Sequence, residues 1–332
     1  MSRRSFVISG ISLGLTSLTS LTAGHAWAQR APDAYPNKPV RLLVGYPPGG
    51  LPDTTARIIA QRLSDTLGQQ FVVDNRPGAG GALSVEAASK APSDGYTLAI
   101  VDIGQSSINM ALYPKLPYDT LRDFTPVSLL GTSPFFLAAN SASGITSFQE
   151  LVRRAKEKPG IINYGSSGNG SPPHLAMEIL KSAAGLDIQH IPYKGSGQSL
   201  PALMSGEVQL LFTVLPTVSA TVKAGSVRLI GLASDARTPQ APDVPTFSEM
   251  GVQGMRMVPS VGILAPIATP KPIVAALAEE VAKAVRHPET LKRFATMGTD
   301  PVGNAPDAYS AALKAEIAYY AQAVKATGAK ID

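Results

Sequence analysis

The sequence predicts an α/β fold in which two lobes are each built on a mostly parallel sheet. From Pro39 onward, short β-branched runs alternate with amphipathic stretches at helical spacing, a pattern typical of a sheet covered by helices. Without a predicted leader of 28 residues, 304 residues remain, which is more than one compact core usually holds and about right for two. Several strand-to-helix connections are rich in Gly or Ser, and such loops share one edge of a parallel sheet. A ligand site is therefore expected at that edge.

The first 28 residues predict an export signal. Arg3 and Arg4 precede a mildly apolar run that extends to about Ala23, the outline of a twin-arginine signal. The small residues Ala26 and Ala28 have the spacing that a signal peptidase reads, so cleavage is expected after Ala28. A membrane anchor is the alternative, but Gly, Ser and Thr interrupt the run, which falls short of the ~20 apolar residues that a span needs. The mature protein is expected to be soluble and periplasmic.

Composition excludes several classes of function. The chain has 29 Lys and Arg and 24 Asp and Glu, and loss of Arg3 and Arg4 leaves a net charge of +3, too mild to indicate nucleic-acid binding. It contains no cysteine, which excludes a disulfide framework, a thiolate nucleophile, a Cys-ligated metal and a lipid-modified N-terminal Cys. Apolar runs after the leader are as short as strands, and no repeat is visible.

The first lobe is predicted to begin with strand–loop–helix units. The first has a helix from Asp53 that ends at a Gly68 cap. A Pro-spaced segment, from Pro114 to Pro134, follows the third strand. The predicted strands and loops here are Val40 to Val44, Gly45 to Pro52, Phe71 to Val73, Asn75 to Gly81 and Tyr96 to Ile100.

A second series of elements begins near Phe135. Its clearest boundary is the start of a helix, where Ser171 is expected to cap the chain and Pro172 occupies the first turn, where a missing N–H costs nothing. The other predicted strands are Ile161 to Tyr164, Ile188 to Tyr193, Val208 to Phe212 and Val227 to Ala233, and the last helices are Pro272 to Arg286, Pro288 to Met297 and Pro306 to Ala326.

Three Gly- or Ser-rich loops between a strand and a helix are the candidate ligand site. They span residues 47–53, 75–81 and 166–171. First-turn N–H groups of the following helices have no intrahelical partner and carry a positive partial charge, so they bind an anion without Lys or Arg. One such loop more often only turns the chain, but several together favour an anion site.

No catalytic, nucleotide or metal motif is present in the mature sequence. The Gly-rich stretches at 78–83 and 195–200 lack the final Gly of a dinucleotide fingerprint, and the only GxSxG lies in the leader at 10–14. His174, His190 and His287 are dispersed in the sequence and are interpreted as structural. Asp53 is interpreted as a helix-start carboxylate rather than a general base. No cofactor or metal is expected.

A set of ordered motifs carries a family resemblance. From about Tyr35 to Ile331 the chain closely resembles the Bug-type substrate-binding proteins of tripartite tricarboxylate transporters. The motifs are Tyr46-Pro47-Pro48-Gly49-Gly50 with Asp53 and Arg57, Asn75 to Gly81, Asp94 to Leu98, Tyr164 to Gly168 with Gly170, Ser171 and His174, Pro192 to Gly195, and Pro242 to Phe247.

The resemblance implies a type II periplasmic-binding fold with a carboxylate enclosed between two lobes. We expect one lobe to comprise residues 35–134 and 248–332 and the other residues 135–247. The ligand-binding residues implied by the motifs are Gly49, Gly50, Asp53, Ser166, Ser167, Gly170 and Ser171, with Gln105, Ser106 and Gly195 as weaker candidates.

Three positions depart from the family pattern. Pro52 replaces a small hydroxyl residue and removes a backbone donor at the first loop. Gln209 stands where Asp is usual. Ser260 stands about where an aromatic residue is often found, which suggests room for a bulkier ligand.

Three functions are compared. The first is a monomeric, non-enzymatic binding protein that delivers an organic acid to the membrane subunits of a tripartite transporter. The second is an orphan receptor that reports the same ligand to a membrane sensor, and the sequence does not separate these two. The third is a periplasmic hydrolase on a similar fold, which the missing Cys and motif-placed Ser disfavour.

Overall fold

The computed structural model describes residues 35–113 and 115–327. Strands and helices alternate along most of these ranges, which confirms the predicted α/β class. The predicted leader and its cleavage site lie outside the described residues. No helix in the described ranges is long and apolar enough to cross a lipid bilayer.

The elements are numbered in chain order. The strands are β1 Val40–Val44, β2 Phe71–Asn75, β3 Thr97–Asp102, β4 Phe124–Thr132, β5 Phe135–Asn140, β6 Asn163–Ser166, β7 Gln189–Pro192, β8 Leu210–Val214, β9 Val227–Leu232, β10 Ser260–Pro266 and β11 Asp300–Pro301. The α-helices are α1 Leu51–Leu67, α2 Ala82–Ser89, α3 Ile103–Leu112, α4 Phe148–Glu157, α5 Pro172–Ala184, α6 Ser196–Ser205, α7 Leu215–Lys223, α8 Lys271–Arg286, α9 Pro288–Thr296 and α10 Pro306–Thr327.

The strands form two sheets. Their strand orders are β11-β4-β10-β3-β1-β2 and β7-β6-β8-β5-β9. Strands β1 to β4 run in one direction and β10 and the short β11 run against them, whereas β6 to β9 run together and β5 runs against them. Strands β5 and β10 are those by which the chain arrives from the other sheet. Each of them begins at the edge where the other strands of its sheet end, so each is antiparallel to its neighbours. Both sheets therefore contain parallel and antiparallel strand pairs, whereas mostly parallel sheets were predicted.

Strand β4 replaces part of the expected Pro-spaced connection. It contains Pro126, whose partner on β10 is Leu264. The register of the two strands shifts between Ile263 and Leu264, so the proline lies at an irregularity in the ladder. A proline within a run of β-forming residues usually argues against a strand, because proline lacks the N–H that a strand donates. At a bulge that N–H is not required.

Helices cover both faces of each sheet. Helices α1, α8 and α9 bury apolar side chains against one face of the first sheet, and α2 and α10 cover its other face. Helices α4 and α5 pack on one face of the second sheet and α6 on the other. The buried positions of α1 recur at helical spacing, and Gly68 ends this helix in the left-handed conformation with its N–H on Ser64 O, as predicted.

Helix α10 contributes to the cores of both sheets. Tyr309 and Leu313 pack with the first sheet, whereas Tyr320 lies in the core cluster of the second. Val252 and Met257, in the connection between β9 and β10, also pack in the second core although they follow residue 247. The last helix and the connection between β9 and β10 therefore join the two sheets.

Candidate functional site

A cavity of about 420 Å³ lies where the loops of the two sheets face each other. One wall comes from the start of α1, at Gly49, Gly50 and Leu51. The opposite walls come from loops and helices of the second sheet, with β8 contributing residues 211–214. The cavity forms at the carboxyl ends of the strands, where the alternation of strands and Gly-rich loops predicted a site.

The start of α1 is shaped by Asp53. The helix begins at Leu51, with Gly50 as its N-cap and no side-chain cap bond. Asp53 lies in the first turn of α1, and its carboxylate accepts from Gly49 N–H at 2.9 Å. This bond fixes the loop before α1 to the first turn of the helix. Arg57 Nε and Asn75 Nδ2 also donate to this carboxylate, at 3.0 Å and 2.8 Å. Although burial opposes its charge, these hydrogen bonds lower the pKa of Asp53.

Three helices of the second sheet also begin at the cavity. They are α5, α6 and α7, and none of them has a side-chain cap bond. Pro172, Ser196 and Pro216, from their first turns, line the cavity. The predicted start of α5 at Pro172 is confirmed, but the predicted cap bond is wrong, because Ser171 Oγ donates to Gly168 O at 2.7 Å instead.

The lining of the cavity is apolar with scattered hydroxyls. Among the described lining residues there is no Lys, Arg or His, and the only ionisable side chain belongs to Asp102. Asp102 ends β3 and caps α3, where its Oδ1 accepts from Gln105 N–H at 3.1 Å. Burial raises the pKa of Asp102 to about 6. The hydroxyl-bearing lining residues are Thr54, Ser167, Ser196, Ser199, Thr213 and Thr217.

Three of the predicted site residues line this cavity. They are Gly49, Gly50 and Ser167. Asp53 lies behind Gly49, and Ser166 is fully buried beneath the 166–171 loop, where its hydroxyl accepts from Gly168 N–H at 3.1 Å.

The other predicted residues lie next to the cavity or deeper in the fold. Gln105, Gly170 and Ser171 line a smaller neighbouring cavity of about 150 Å³. Ser106 lies inside α3, where its Oγ is 3.3 Å from Thr120 Oγ1. Gly195 is the N-cap of α6, directly before the lining residue Ser196.

Sequence reasoning missed Asp102 and the helix α7. Asp102 follows a buried strand and precedes a helix, so its position at a strand end was a usable signal. Pro216 in the first turn of α7 repeats the Pro signature that located α5. Phe135, Pro259 and Met297 are brought to the cavity from distant parts of the chain and left no local signal.

Behind the 166–171 loop, three aromatic rings are stacked. The ring centroids of His190 and Tyr164 are 4.8 Å apart, and those of His190 and His174 are 4.1 Å apart. His174 and His190, which are far apart in the sequence, are therefore neighbours in space, because β7 and α5 bring them together. His174 Nδ1 accepts from Gly170 N–H at 3.1 Å, and His190 Nε2 is 2.7 Å from Ser166 Oγ. Both rings therefore support the loop.

Burial lowers the pKa of His174, and burial together with His174 lowers the pKa of His190 to about 4. The neutral forms are the ones that stabilise the fold, so stability is present above the unfolded-state pKa of about 6.5 and is lost as the pH falls toward 4. With allowance for partial solvent access, we expect protonation of His190 to lower the free energy of unfolding by about 2 kcal/mol across that window.

The measurement is urea unfolding at pH 7.5, 5.5 and 4.5 for the protein and for His190→Gln, with an NMR titration of the His190 ring. The difference between the two proteins isolates the histidine from the carboxylates, of which Asp102 contributes with the opposite sign. Equal pH dependence of the two would contradict the expectation.

The Ser166–His190 pair does not form an accessible nucleophile. Ser166 is completely buried and does not line the cavity, and its hydroxyl is also bonded to Gly168. A serine nucleophile must reach a substrate carbonyl, which this position does not allow. The pair is therefore best explained as support for the loop.

Comparison with known proteins identifies the family. The model of the tripartite tricarboxylate transporter family receptor matches residues 55–328. The chain belongs to this receptor family. Its relative BugT of Bordetella pertussis is 34% identical over 320 residues, which cover 96% of this chain and 98% of BugT. The resemblance seen in the motifs is confirmed.

Solved structures of similar proteins share the receptor's fold. A Rhodopseudomonas palustris protein with adipate is 34% identical, with a TM-score of 0.80 over 90% of this chain and 100% of its own. MatC from the same species, with bound malate, is 31% identical, with a TM-score of 0.75 over 87% and 100%. The periplasmic binding protein BugD is 29% identical, with a TM-score of 0.76 over 89% and 99%. The receptor therefore has the two-lobed, type II-like binding fold.

The three departures from the family pattern have structural explanations in this receptor. Pro52 lies in the first turn of α1, where its missing N–H costs the helix no intrahelical hydrogen bond but leaves this helix start with one donor fewer. Gln209 accepts from Asn163 N–H at 2.9 Å and donates to Gly206 O at 2.9 Å, on the far side of the second sheet. Ser260 is buried with its Oγ on Val258 O, and the neighbouring Pro259, not Ser260, lines the cavity. The expected extra room at Ser260 is therefore not part of this cavity.

Proposed function

We propose that this receptor binds a small organic carboxylate in the cavity and delivers it, in the periplasm, to the membrane subunits of a tripartite transporter. One observation supports the proposal above all others. Four helices, α1, α5, α6 and α7, begin at one cavity without side-chain caps, and no basic side chain is found among its described lining residues.

The electrostatics of these helix ends favour an anion. Each helix N-terminus carries about half a positive elementary charge, and in a partly buried geometry it stabilises a negative group by up to about 2 kcal/mol. Apolar walls strengthen the interaction because they keep the local dielectric constant low. Backbone donors at Gly50 and Leu51 and the hydroxyls of Thr54 and Ser167 supply the directional contacts.

The relatives support the ligand class. Adipate and malate, bound by two structural relatives, are both small carboxylates. A volume of about 420 Å³ suits a ligand of that size. We propose that Gly49, Gly50 and Ser167 contact the ligand and that Asp53, Ser166 and Gly195 hold the contacting loops. Gln105, Gly170 and Ser171 of the neighbouring cavity and Ser106, which is buried in α3, complete the proposed site.

The remaining parts of the proposal concern the whole protein. We infer two lobes that close over the ligand, residues 35–134 with 248–332 and residues 135–247, with Val252, Met257 and Tyr320 of the first packing in the core of the second. The receptor acts as a monomer after cleavage at Ala28 and performs no chemistry on its ligand. Partnership with a transporter follows from the family, whose description names it.

The experiment expresses the full chain with its own leader and purifies it from the periplasmic fraction. Thermal unfolding with an external dye is followed in the presence of adipate, malate and their diamides. An acid at 100 times its dissociation constant adds roughly 2.7 kcal/mol to the unfolding free energy, whereas the neutral diamide adds nothing.

Two further results would decide the proposal. If a wider panel of organic acids leaves the melting curve unmoved, the carboxylate site is wrong. If turnover of a bound acid is seen by mass spectrometry, the non-enzymatic role is wrong. Mass measurement of the purified protein tests the cleavage after Ala28.

A further inference from the structure

The cavity of an anion receptor is expected to avoid fixed negative charge, yet its only described ionisable lining group is a carboxylate. Asp102 borders the same cavity as Gly49 and Gly50. A second ligand carboxylate near Asp102 would meet like charge, which costs binding energy in a low-dielectric site.

Helix capping alone does not account for the charge of Asp102. The cap bond uses Oδ1, and uncharged Asn or Ser caps a helix about as well as Asp. Among the described residues, no ion pair includes Asp102. The titratable groups that face it are Glu316, Tyr309 and Tyr320 of α10 and Tyr46 of the first loop, and none of them is a cation.

Glu316 does have a cationic partner. Arg256 pairs with Glu316 and, at 3.1 Å, with Asp235, so this arginine is already engaged by two acids. Burial without a neighbouring cation raises the pKa of Asp102 to about 6, so the carboxylate is mostly ionised at neutral pH. A buried ionised carboxylate is stabilised when a cation pairs with it.

We propose that Asp102 selects ligands that carry a protonated amine in addition to their carboxylate, so that the receptor prefers amino acids to dicarboxylates. This inference rests on the proposed function, because it takes the carboxylate to be held at the helix ends. The amine of the ligand donates to Asp102 and neutralises the one charged group of the cavity wall. The carboxylate at the helix N-termini and the amine at Asp102 then match the two ends of a zwitterion.

The test uses matched six-carbon ligands that differ at the position of the amine. The pairs are 6-aminohexanoate with adipate, in which a carboxylate replaces the terminal aminomethyl group, and norleucine with hexanoate, in which hydrogen replaces the α-amine. Isothermal titration at pH 7.5 measures each dissociation constant for the protein and for Asp102→Asn, which retains the cap. We expect the amine compound of at least one pair to bind about 10- to 100-fold more tightly than its partner, and the asparagine variant to lose that preference.

The outcomes separate this inference from the proposed function. If in neither pair the amine compound binds more tightly than its partner, or if the preference survives in Asp102→Asn, the role of Asp102 is overturned while the carboxylate receptor stands. If other acids bind but neither amine compound does, the role of Asp102 is likewise overturned. If no carboxylate of any kind binds, the proposed function fails first. Should Asp102→Asn not fold, the ligand order of the unmodified protein alone decides.

Discussion

Asp53→Ala is expected to abolish ligand binding at the cavity and to lower the free energy of unfolding by about 2–4 kcal/mol. The carboxylate of Asp53 is buried and accepts from Gly49 N–H, Arg57 and Asn75. Alanine takes their acceptor from the Gly49 N–H and the Asn75 amide in part-buried bonds, although Asn75 keeps its bond to Tyr46 O. Half-exposed Arg57 regains water, which keeps the loss below that of a fully buried ion pair. Urea unfolding and the ligand-induced thermal shift measure the two effects.

Asp65→Ala is the matched control. Asp65 lies on the same helix and also pairs with an arginine, Arg62, but its side chain is half-exposed. We expect its stability change to stay within about 0.5 kcal/mol and ligand binding to be retained. If Asp53→Ala behaved like Asp65→Ala, the first loop would not depend on the carboxylate.

Gly45→Ala is expected to destabilise the protein by about 2–3 kcal/mol and to weaken ligand binding at least tenfold. A Cβ at Gly45 would lie 2.5 Å from Gly81 Cα and 2.8 Å from Gly81 O. Both are backbone atoms of the second Gly-rich loop, so no side-chain rotation relieves the contact. The two loops would separate, and the start of α1 would move away from the cavity.

Gly197→Ala provides the comparison for this substitution. A Cβ at Gly197 meets nothing within 4 Å, and the residue lies inside α6. Alanine there is expected to be neutral or to stabilise by about 0.5–1 kcal/mol, since it restricts the unfolded chain and favours the helix. Denaturant midpoints and calorimetric dissociation constants for both variants are the measurements, and equal effects would refute the close approach of the loops.

Local sequence signals were sufficient wherever neighbouring residues determine the structure. The left-handed cap at Gly68 and the helix start at Pro172 were predicted because they depend on the backbone preferences of a few adjacent residues. The α/β class followed from the spacing of apolar residues, and the family from the order of its motifs. Strand β4 escaped prediction because Pro126 is tolerated only through a register shift with β10.

The site was predictable in kind but only partly in its members. The helix-start argument indicated the loops, and the family motifs within them named Gly49, Gly50 and Ser167, which line the cavity. Phe135, Pro259 and Met297 reach the cavity only because distant strands and helices pack together, so no local pattern marks them.

By itself the sequence therefore determined the α/β class and the family, which are marked by patterns of residues close together in the chain. Only the tertiary structure decided that His174 and His190 stack, that α10 packs with both sheets and that Asp102 is the one ionisable group among the described residues lining the cavity. Such contacts join residues far apart in the chain, and their free energy exists only once the intervening elements have packed.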